Sequence, residues 1–192
     1  MKPEIQLAVF ASGNGSNAQN LITFFEGSRI KIALILSENP NARVLQRATL
    51  FQVPSVIFSM SELQNGQVLQ QLKGYGINYI VLAGFLKLIP ASMVQSYQQR
   101  IINIHPALLP KFGGKGMYGS NVHKAVFNAH ETETGITIHY VNEYYDKGAI
   151  ILQKQVALTP DDTPESIAAK ISELEMKYFP ESILQTIEKH NS

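Results

Sequence analysis

Asn103 and His105 are the residues of this 192-residue chain whose types and spacing most directly suggest chemistry. They alternate with Ile104 in an apolar stretch, and this period of two predicts a β-strand that carries both polar side chains on one side. Pro106 lacks a backbone donor, so the strand should end where these side chains emerge. An amide and an imidazole placed together could stabilise an oxyanion and move a proton. A turn asparagine and a structural histidine are the alternatives.

Asp146 is the best candidate for a carboxylate that orients His105. It lies in the polar segment N-E-Y-Y-D-K-G, residues 142–148, directly before a predicted strand. A carboxylate near an imidazole favours the protonated ring and fixes its orientation. The alternative for Asp146 is a solvated turn residue. His139 lies on an alternating strand and is expected to be structural.

A second candidate site is the glycine loop, residues 12–17, with the sequence S-G-N-G-S-N. Gly13 and Gly15 permit a sharp turn, and Ser16 or Asn17 can cap the following helix. Backbone N–H groups at such a helix start attract phosphate. The loop lacks the third glycine of a dinucleotide fingerprint and is not a Walker loop, so a plain strand-to-helix turn is the alternative.

Four predicted strands alternate with helices in the first half of the chain. The predicted strands are 5–11, 30–37, 54–58 and 78–84, and the predicted helices are 18–26, 42–52 and 61–73. Such alternation predicts an α/β fold with a doubly wound, mostly parallel sheet and helices on both faces. Ligands of such sheets bind beyond the carboxyl ends of the strands. The glycine loop and Asn103 with His105 are therefore expected at the same edge.

The second half of the chain predicts a change of strand direction. A helix at 91–97 precedes the Asn103 strand, and a glycine-rich, flexible loop at 113–121 precedes a helix at 122–129. The strands 134–141 and 149–158 are joined by a short loop, which predicts an antiparallel carboxyl-terminal hairpin. Thr163 can cap a final helix that begins at Pro164 and reaches about residue 189. Pro180 predicts a kink or break at Phe179.

Composition narrows the functional classes. The chain has 16 Lys and Arg against 15 Asp and Glu and no cysteine. The balanced charge gives no support for a nucleic-acid partner or an anionic membrane, and the lack of cysteine excludes thiolate chemistry. Metal-ligand and serine-nucleophile motifs are missing, so no metal is expected. We expect a single domain, residues 1–192, and a cytoplasmic location, since no signal sequence is evident.

Four ordered motifs resemble the phosphoribosylglycinamide formyltransferase family. They are S-G-N-G-S-N, L-A-G-F-L-K-L-I at 82–89, I-N-I-H-P-A-L-L-P at 102–110 and Y-D-K-G-A-I-I-L-Q at 145–153. The resemblance implies a Rossmann-like fold and transfer of a formyl group from 10-formyltetrahydrofolate to the amine of glycinamide ribonucleotide, in purine biosynthesis. It also implies that Asn103, His105 and Asp146 are the catalytic residues. We expect direct attack through a tetrahedral intermediate, with protonated His105 and Asn103 stabilising the oxyanion.

The same resemblance implies the residues that bind the two substrates. The phosphate and ribose of the nucleotide would be held by Gly13, Asn14, Gly15, Ser16 and Glu175. The folate would be held by Lys87, Leu88, Ile89, Asn142, Glu143, Tyr144 and Tyr145. Glu175 would not be chosen without the resemblance, because it is one acid among several on an amphipathic helix. The sequence leaves a homodimer open.

Two departures from the family pattern and four rival functions remain. Ala107 stands where the family usually has Ser, and the loop at 113–121 is longer than in many members.

Methionyl-tRNA formyltransferase and formyltetrahydrofolate hydrolase resemble this chain at the N-x-H-P motif, but each usually carries an additional domain that does not fit this length. A non-catalytic nucleotide-binding module would use only the glycine loop. A dinucleotide oxidoreductase is disfavoured by the incomplete glycine pattern.

Overall fold

A computed structural model describes residues 4–191 of the chain. Residues up to Ile102 and residues from Asn103 onwards form two compact units. Over the described residues the sheet has the strand order β3-β2-β1-β4-β5-β6-β7. It is a Rossmann-like, mostly parallel sheet with surrounding helices, as the sequence predicts.

The first unit contains the strand-helix repeats. Its elements are β1 (Ile5–Phe10), α1 (Ser16–Phe24), β2 (Ile30–Ser37), α2 (Arg43–Leu50), β3 (Ser55–Ile57), α3 (Met60–Gln64), α4 (Gln67–Gly74), β4 (Tyr79–Leu82) and α5 (Ala91–Ser96). β1 pairs in parallel with β2 and β4, with Phe10 opposite Leu36 and Leu82. The segments that follow these three strands therefore leave the same edge of the sheet.

Buried apolar side chains explain why β1 is central in this unit. Leu7, Val9 and Phe10 have no exposed surface, and the Phe10 ring packs edge-on against Phe58 and Phe85. A strand that is apolar on both faces can be covered on both faces only in the interior of a parallel sheet. The glycine loop that follows β1 is thus attached to a strand that is buried on both faces.

Two helix predictions in this unit need correction. The single helix predicted over 61–73 is two helices, α3 and α4, because Gly66 adopts a left-handed conformation with φ 88° between them. α1 begins at Ser16, and neither Ser16 nor Asn17 caps it. Its N-cap is Gly15, which has φ 76° and makes no side-chain capping bond.

The second unit is organised around an antiparallel hairpin. β5 (Ile101–His105) crosses the boundary, and α6 (Ser120–Asn128), β6 (Glu133–Tyr140), β7 (Ile150–Ala157) and α7 (Pro164–His190) follow. β6 and β7 pair antiparallel, as predicted. The predicted cap of α7 is also present: Thr163 accepts a hydrogen bond from the Ser166 N–H, and Pro164 is the first helical residue.

α7 is continuous through Pro180, so of the predicted kink or break at Phe179 the break does not occur. A proline in a helix costs about 3 kcal/mol through its missing donor and its ring. Phe179 has no exposed surface, and Pro180, Ser182 and Ile183 are buried around it. Burial of this apolar segment offsets the local cost, which sequence reasoning based on proline alone underestimates. Within residues 4–191, no helix is long and apolar enough to cross a membrane.

Gly148 should be intolerant of a side chain. A Cβ placed there would overlap the carbonyl oxygen of Tyr140 and contact the His139 ring. We expect Gly148→Ala to destabilise the protein by about 1–3 kcal/mol through this overpacking and to lower activity by displacing the segment that carries Asp146. Chemical denaturation and an activity assay measure the two effects. Gly74→Ala is the matched control, because a Cβ at Gly74 meets nothing within 4 Å; equal stability of both variants would contradict the prediction.

Candidate active site

The end of β5 presents the predicted pair of polar residues. Asn103 is half-buried, whereas His105 is only 3% exposed and Ile104 is 6% exposed. The strand ends at His105, directly before Pro106, as the sequence predicts. Both side chains belong to the second compact unit, and so do all the groups that contact them below.

Asp146 lies among these side chains although it is more than 40 residues away in the chain. One carboxylate oxygen, Oδ1, is 3.5 Å from Asn103 Nδ2 and 3.6 Å from His139 Nε2. The other, Oδ2, is 3.6 Å from His105 Nδ1 and accepts a 2.9 Å hydrogen bond from the Gly114 N–H. The structure therefore brings together all three residues that the sequence suggested for catalysis.

The backbone of the Asp146 loop aims the carboxylate inward. Asp146 has φ 54°, a left-handed conformation that aspartate tolerates better than most residues. The loop closes through a 2.9 Å bond from the Tyr140 N–H to the Ala149 carbonyl, and Asn142 Oδ1 accepts the Tyr144 N–H at 3.0 Å. Asp146 is thus held by backbone geometry and is not a freely solvated turn residue.

His139, which the sequence predicts to be structural, is also a member of this cluster. Its Nε2 is 3.0 Å from Asn103 Nδ2, and its Nδ1 is 2.8 Å from the Tyr140 carbonyl oxygen. The carbonyl can only accept, so Nδ1 carries the proton and the Nε2 lone pair accepts from the Asn103 amide. The available signal was the alternation of β6, which predicts a face for His139 but not the partner across from it.

Burial lowers the pKa of His105 below its ordinary value. The Asp146 carboxylate and the Phe112 carbonyl oppose this effect, and His139 adds to it. His105 Nε2 lies 2.8 Å from the Phe112 carbonyl oxygen, so Nε2 holds the proton of the neutral ring and Nδ1 faces Asp146. The free protein therefore holds His105 neutral at pH 7.

Asp146 remains ionised at neutral pH. Burial acts to raise its pKa, but the nearby His139 and His105 rings and the hydrogen bond from the Gly114 N–H together hold the pKa of Asp146 below its usual value. A neutral imidazole therefore faces a carboxylate across 3.6 Å. A proton added to His105 at Nδ1 would complete an ion pair, which is an arrangement suited to transient proton storage.

The carboxylate should control the titration of His105. Because the negative charge of Asp146 raises the pKa of His105, we expect Asp146→Asn to lower this pKa further. Histidine resonances followed by NMR across pH 4–8 measure the shift directly. His130, exposed shortly after the end of α6, serves as the internal control. An unchanged or raised pKa of His105 in the variant would show that the ring does not sense the carboxylate.

The start of the loop after β5 contributes backbone groups that the sequence did not reveal. The Phe112 carbonyl contacts His105, and the Gly114 N–H contacts Asp146. A Cβ at Gly113 would come within 2.5 Å of the Leu109 side chain and 3.4 Å of the Asp146 Cβ, so glycine permits this close approach. The loop was expected to be flexible, yet its first residues are anchored in the cluster.

Ala107 is fully buried, and the Thr137 hydroxyl hydrogen-bonds to its backbone. Thr137 Oγ1 donates to the Ala107 carbonyl at 2.7 Å and accepts from the Leu109 N–H and from Gln153 Nε2. The segment after His105 is therefore fixed by hydrogen bonds without a serine at position 107.

In the first unit, the glycine loop and the predicted folate-binding segment follow β1 and β4 at one edge. Ser12 joins them, because its N–H donates to the Gly84 carbonyl and its hydroxyl accepts the Leu86 N–H at 3.1 Å. The Ser12 hydroxyl in turn donates to Glu38 at 3.0 Å. Lys87 and Leu88 are exposed beyond this contact, whereas Ile89 is buried.

The remaining predicted binding residues lie in the second unit. Asn142 and Tyr145 are half-buried in the Asp146 loop, and Glu143 and Tyr144 are exposed. Glu175 is half-buried within α7 and does not differ in this respect from its neighbours. Among the described residues, no group of three His, Asp or Glu side chains is placed to hold a metal ion.

Comparisons with known proteins agree on one family. Residues 5–183 match the family model described as formyl transferase. A phosphoribosylglycinamide formyltransferase of Bacillus subtilis is 38% identical over 193 residues, covering 97% of this chain and 96% of that protein. The chloroplastic enzyme of Arabidopsis thaliana is also 38% identical, and this chain spans 64% of its length.

Solved structures show the same similarity. The phosphoribosylglycinamide formyltransferase of Bacillus halodurans superimposes with a TM-score of 0.86 at 32% identity, over 96% of each chain. That of Streptococcus pneumoniae gives a TM-score of 0.85 at 32% identity, over 95% of this chain and 99% of that one. The fold and the sequence therefore point to the same relatives.

Proposed function

Because this chain belongs to the formyl transferase family and is a transferase, we propose that it transfers a formyl group to the amine of glycinamide ribonucleotide in purine biosynthesis. The proposed donor is 10-formyltetrahydrofolate. The observation that carries the proposal is the cluster of Asn103, His105 and Asp146, in which one carboxylate lies within 3.6 Å of both an imidazole and a side-chain amide.

The proposed reaction is direct attack through a tetrahedral intermediate. The substrate amine forms a bond to the formyl carbon, and the carbonyl oxygen becomes an oxyanion. The intermediate collapses when the bond from carbon to the folate N10 breaks. One proton must leave the attacking nitrogen, and one must reach N10. The proton count balances without a covalent enzyme intermediate or a metal ion.

His105 and Asp146 are suited to carrying a proton from the attacking nitrogen to N10. Since the free protein holds His105 neutral, the protonated ring expected from the sequence has to form during the reaction. The negative charge of the oxyanion, added to that of Asp146, favours protonation of His105 at Nδ1 as the intermediate forms. We propose that the proton then passes to N10, with Asp146 holding the ring throughout.

Asn103 is the proposed donor to the oxyanion. Its Nδ2 carries two hydrogens, and the His139 lone pair accepts one of them at 3.0 Å. The other hydrogen lies toward Asp146 Oδ1, and the Nδ2–Oδ1 distance is a long 3.5 Å, so little is lost when an oxyanion accepts this hydrogen instead. A donor oriented before the reaction stabilises developing charge more effectively than water does.

Substrate-binding roles complete the proposal. The glycine loop would bind the nucleotide phosphate through Gly13, Asn14, Gly15 and Ser16, and Glu175 would contact the ribose. Residues 87–89 and 142–145 would hold the pterin of the folate. A cytoplasmic location, a single domain and the absence of nucleic-acid and membrane partners stay predictions, and a homodimer stays open.

The test is a formyl-transfer assay with purified protein, glycinamide ribonucleotide and 10-formyltetrahydrofolate. We expect formylated nucleotide and tetrahydrofolate in equal amounts, and neither when the acceptor is omitted. Folate turnover without the acceptor would identify a hydrolase instead. Nucleotide binding without any folate turnover would identify a binding module.

A further inference from the structure

Each carbonyl group from Ser12 to Gly15 accepts a hydrogen bond from within the first unit. The donors are Asn39 Nδ2 to Ser12 at 3.2 Å, the Val44 N–H to Gly13 at 3.1 Å, Arg47 Nε to Asn14 at 2.7 Å, and the Gln19 N–H to Gly15 at 2.9 Å. Four consecutive carbonyls are therefore fixed in direction. Two of these donors, Val44 and Arg47, lie on α2, which is separate from the helix that the loop begins.

Arg47 makes the most extensive contact with the loop. Its Nη2 donates to Asn14 Oδ1 at 3.1 Å, in addition to the bond from Nε to the Asn14 carbonyl, and its Nη1 donates to Gln19 Oε1. A guanidinium is only a donor, so the atom of the Asn14 carboxamide that faces it must be the oxygen. The NH₂ group of Asn14 is consequently turned away from Arg47.

This arrangement leaves the backbone N–H groups of the glycine loop available to bind a ligand. Among the described residues, no protein group accepts the backbone N–H of Gly13, Asn14, Gly15 or Ser16. Gly13, Asn14 and Ser16 are exposed, whereas Gly15 is buried against Val44, where a Cβ would come within 2.5 Å of the valine side chain. The carbonyls are thus held on the protein side, and several donors are free for an anion.

We propose that Arg47 is a positioning residue for the phosphate of the acceptor. Its guanidinium orients Asn14 so that the backbone N–H groups of the glycine loop and the Asn14 side-chain amide all donate to that phosphate. The proposal rests on the proposed function, which supplies the phosphorylated acceptor. Arg47 acts through Asn14 and does not touch the substrate. A bidentate guanidinium suits this role, because a single ammonium cannot bond both Asn14 oxygens in a fixed geometry.

A purely structural role for Arg47, as a link between α1 and α2, makes a different prediction. Loss of such a link would lower stability and reduce the active fraction for every substrate equally. Loss of a phosphate-positioning residue would weaken only interactions that involve the phosphate. The comparison therefore requires one acceptor with a phosphate and one without it.

The test compares wild type, Arg47→Gln, Arg47→Lys and the control Arg43→Gln. Arg43 is an exposed residue one turn earlier on α2, so its replacement removes the same charge without a contact to Asn14. We expect Arg47→Gln to raise KM for glycinamide ribonucleotide roughly 10- to 100-fold, the effect of losing hydrogen bonds to a charged group. Its kcat and its KM for the folate should stay near the wild-type values. In Arg43→Gln, kcat and the KM values for both substrates should stay near the wild-type values.

Two further measurements make the test specific. With the dephosphorylated acceptor, glycinamide ribonucleoside, Arg47→Gln and wild type should have equal kcat/KM. Arg47→Lys should recover only part of the loss. In a double-mutant cycle, Asn14→Ala should add little to the KM of Arg47→Gln if Arg47 acts through Asn14. Equal KM for the ribonucleotide in wild type and Arg47→Gln, or an equal loss with both acceptors, would overturn the inference.

Binding of ribose 5-phosphate, measured by calorimetry, separates this inference from the proposed function. If the wild type does not formylate glycinamide ribonucleotide but binds ribose 5-phosphate more tightly than Arg47→Gln does, the proposed function fails and the role of Arg47 stands. If wild type and Arg47→Gln bind this probe equally, or neither binds it, the role of Arg47 is wrong. Thermal unfolding of each variant confirms that folded protein is compared.

Discussion

Replacement of Asp146 by asparagine is expected to lower kcat by roughly 10²- to 10⁴-fold, the range typical for loss of a group that takes part in proton transfer. Asparagine preserves size but removes the charge that faces His105 at 3.6 Å, so protonation of the ring during the reaction loses its main support. It also weakens the acceptor for the Gly114 N–H. The KM values of both substrates should change much less, because the effect acts on the transition state.

Asp161→Asn provides the control for this variant, because Asp161 is exposed and the substitution is chemically identical. The control should keep wild-type turnover. Circular dichroism and thermal unfolding should show that Asp146→Asn is folded, since a neutral amide replaces a half-buried charge of the same size. Turnover of Asp146→Asn close to that of the control would remove Asp146 from the mechanism.

The local part of the candidate site could be predicted from the sequence because its signals are local. Alternation around Ile104 predicted that Asn103 and His105 lie at the end of a strand, and Pro106 predicted where that strand ends. The glycine loop was recognised in the same way, since a glycine pattern after an apolar strand is contiguous. Each of these inferences needs fewer than ten residues of context.

The contacts between distant segments could not be predicted in this way. His139 contacts Asn103 across 36 residues, and no local pattern distinguishes it from a histidine that merely fills the core. The Phe112 carbonyl and the Gly114 N–H are backbone groups, which every residue has, so the sequence carries no sign of their role. Arg47 belongs to the same class, because its partner Asn14 lies 33 residues earlier.

The errors in the fold have a related cause. Pro180 is a strong local signal for a broken helix, but burial of Phe179 and its neighbours outweighs it. At Gly66 the reverse holds, because one glycine interrupts a pattern of apolar residues that otherwise suits a single helix. Tertiary packing at Pro180 and backbone conformation at Gly66 thus determine whether the helix continues, and neither is visible in the apolar pattern alone.

Replacement of Asn103 by alanine is the second variant expected to have a large effect, a loss of roughly 10²- to 10³-fold in kcat, as for removal of one oxyanion donor. The amide nitrogen is the group lost, and the hydrogen that we assign to the oxyanion is lost with it. Asn103→Asp should be at least as inactive, because it replaces the donor with an acceptor beside the charged Asp146. Asn128→Ala, at an exposed position at the end of α6, is the control.

Two readouts distinguish loss of the oxyanion donor from general disruption of the cluster. Asn103 hydrogen-bonds to His139 and Asp146, and no hydrogen bond joins it to His105 among the described residues, so the NMR titration of His105 in Asn103→Ala should stay close to that of wild type. The loss should also appear in kcat, with KM for both substrates little changed, because the oxyanion exists only near the transition state. A loss confined to KM, or turnover equal to that of Asn128→Ala, would show that Asn103 binds substrate or supports the loop and does not stabilise the oxyanion. The two variants together therefore separate stabilisation of the oxyanion by Asn103 from proton transfer by His105 and Asp146, since only Asp146→Asn should shift the His105 titration.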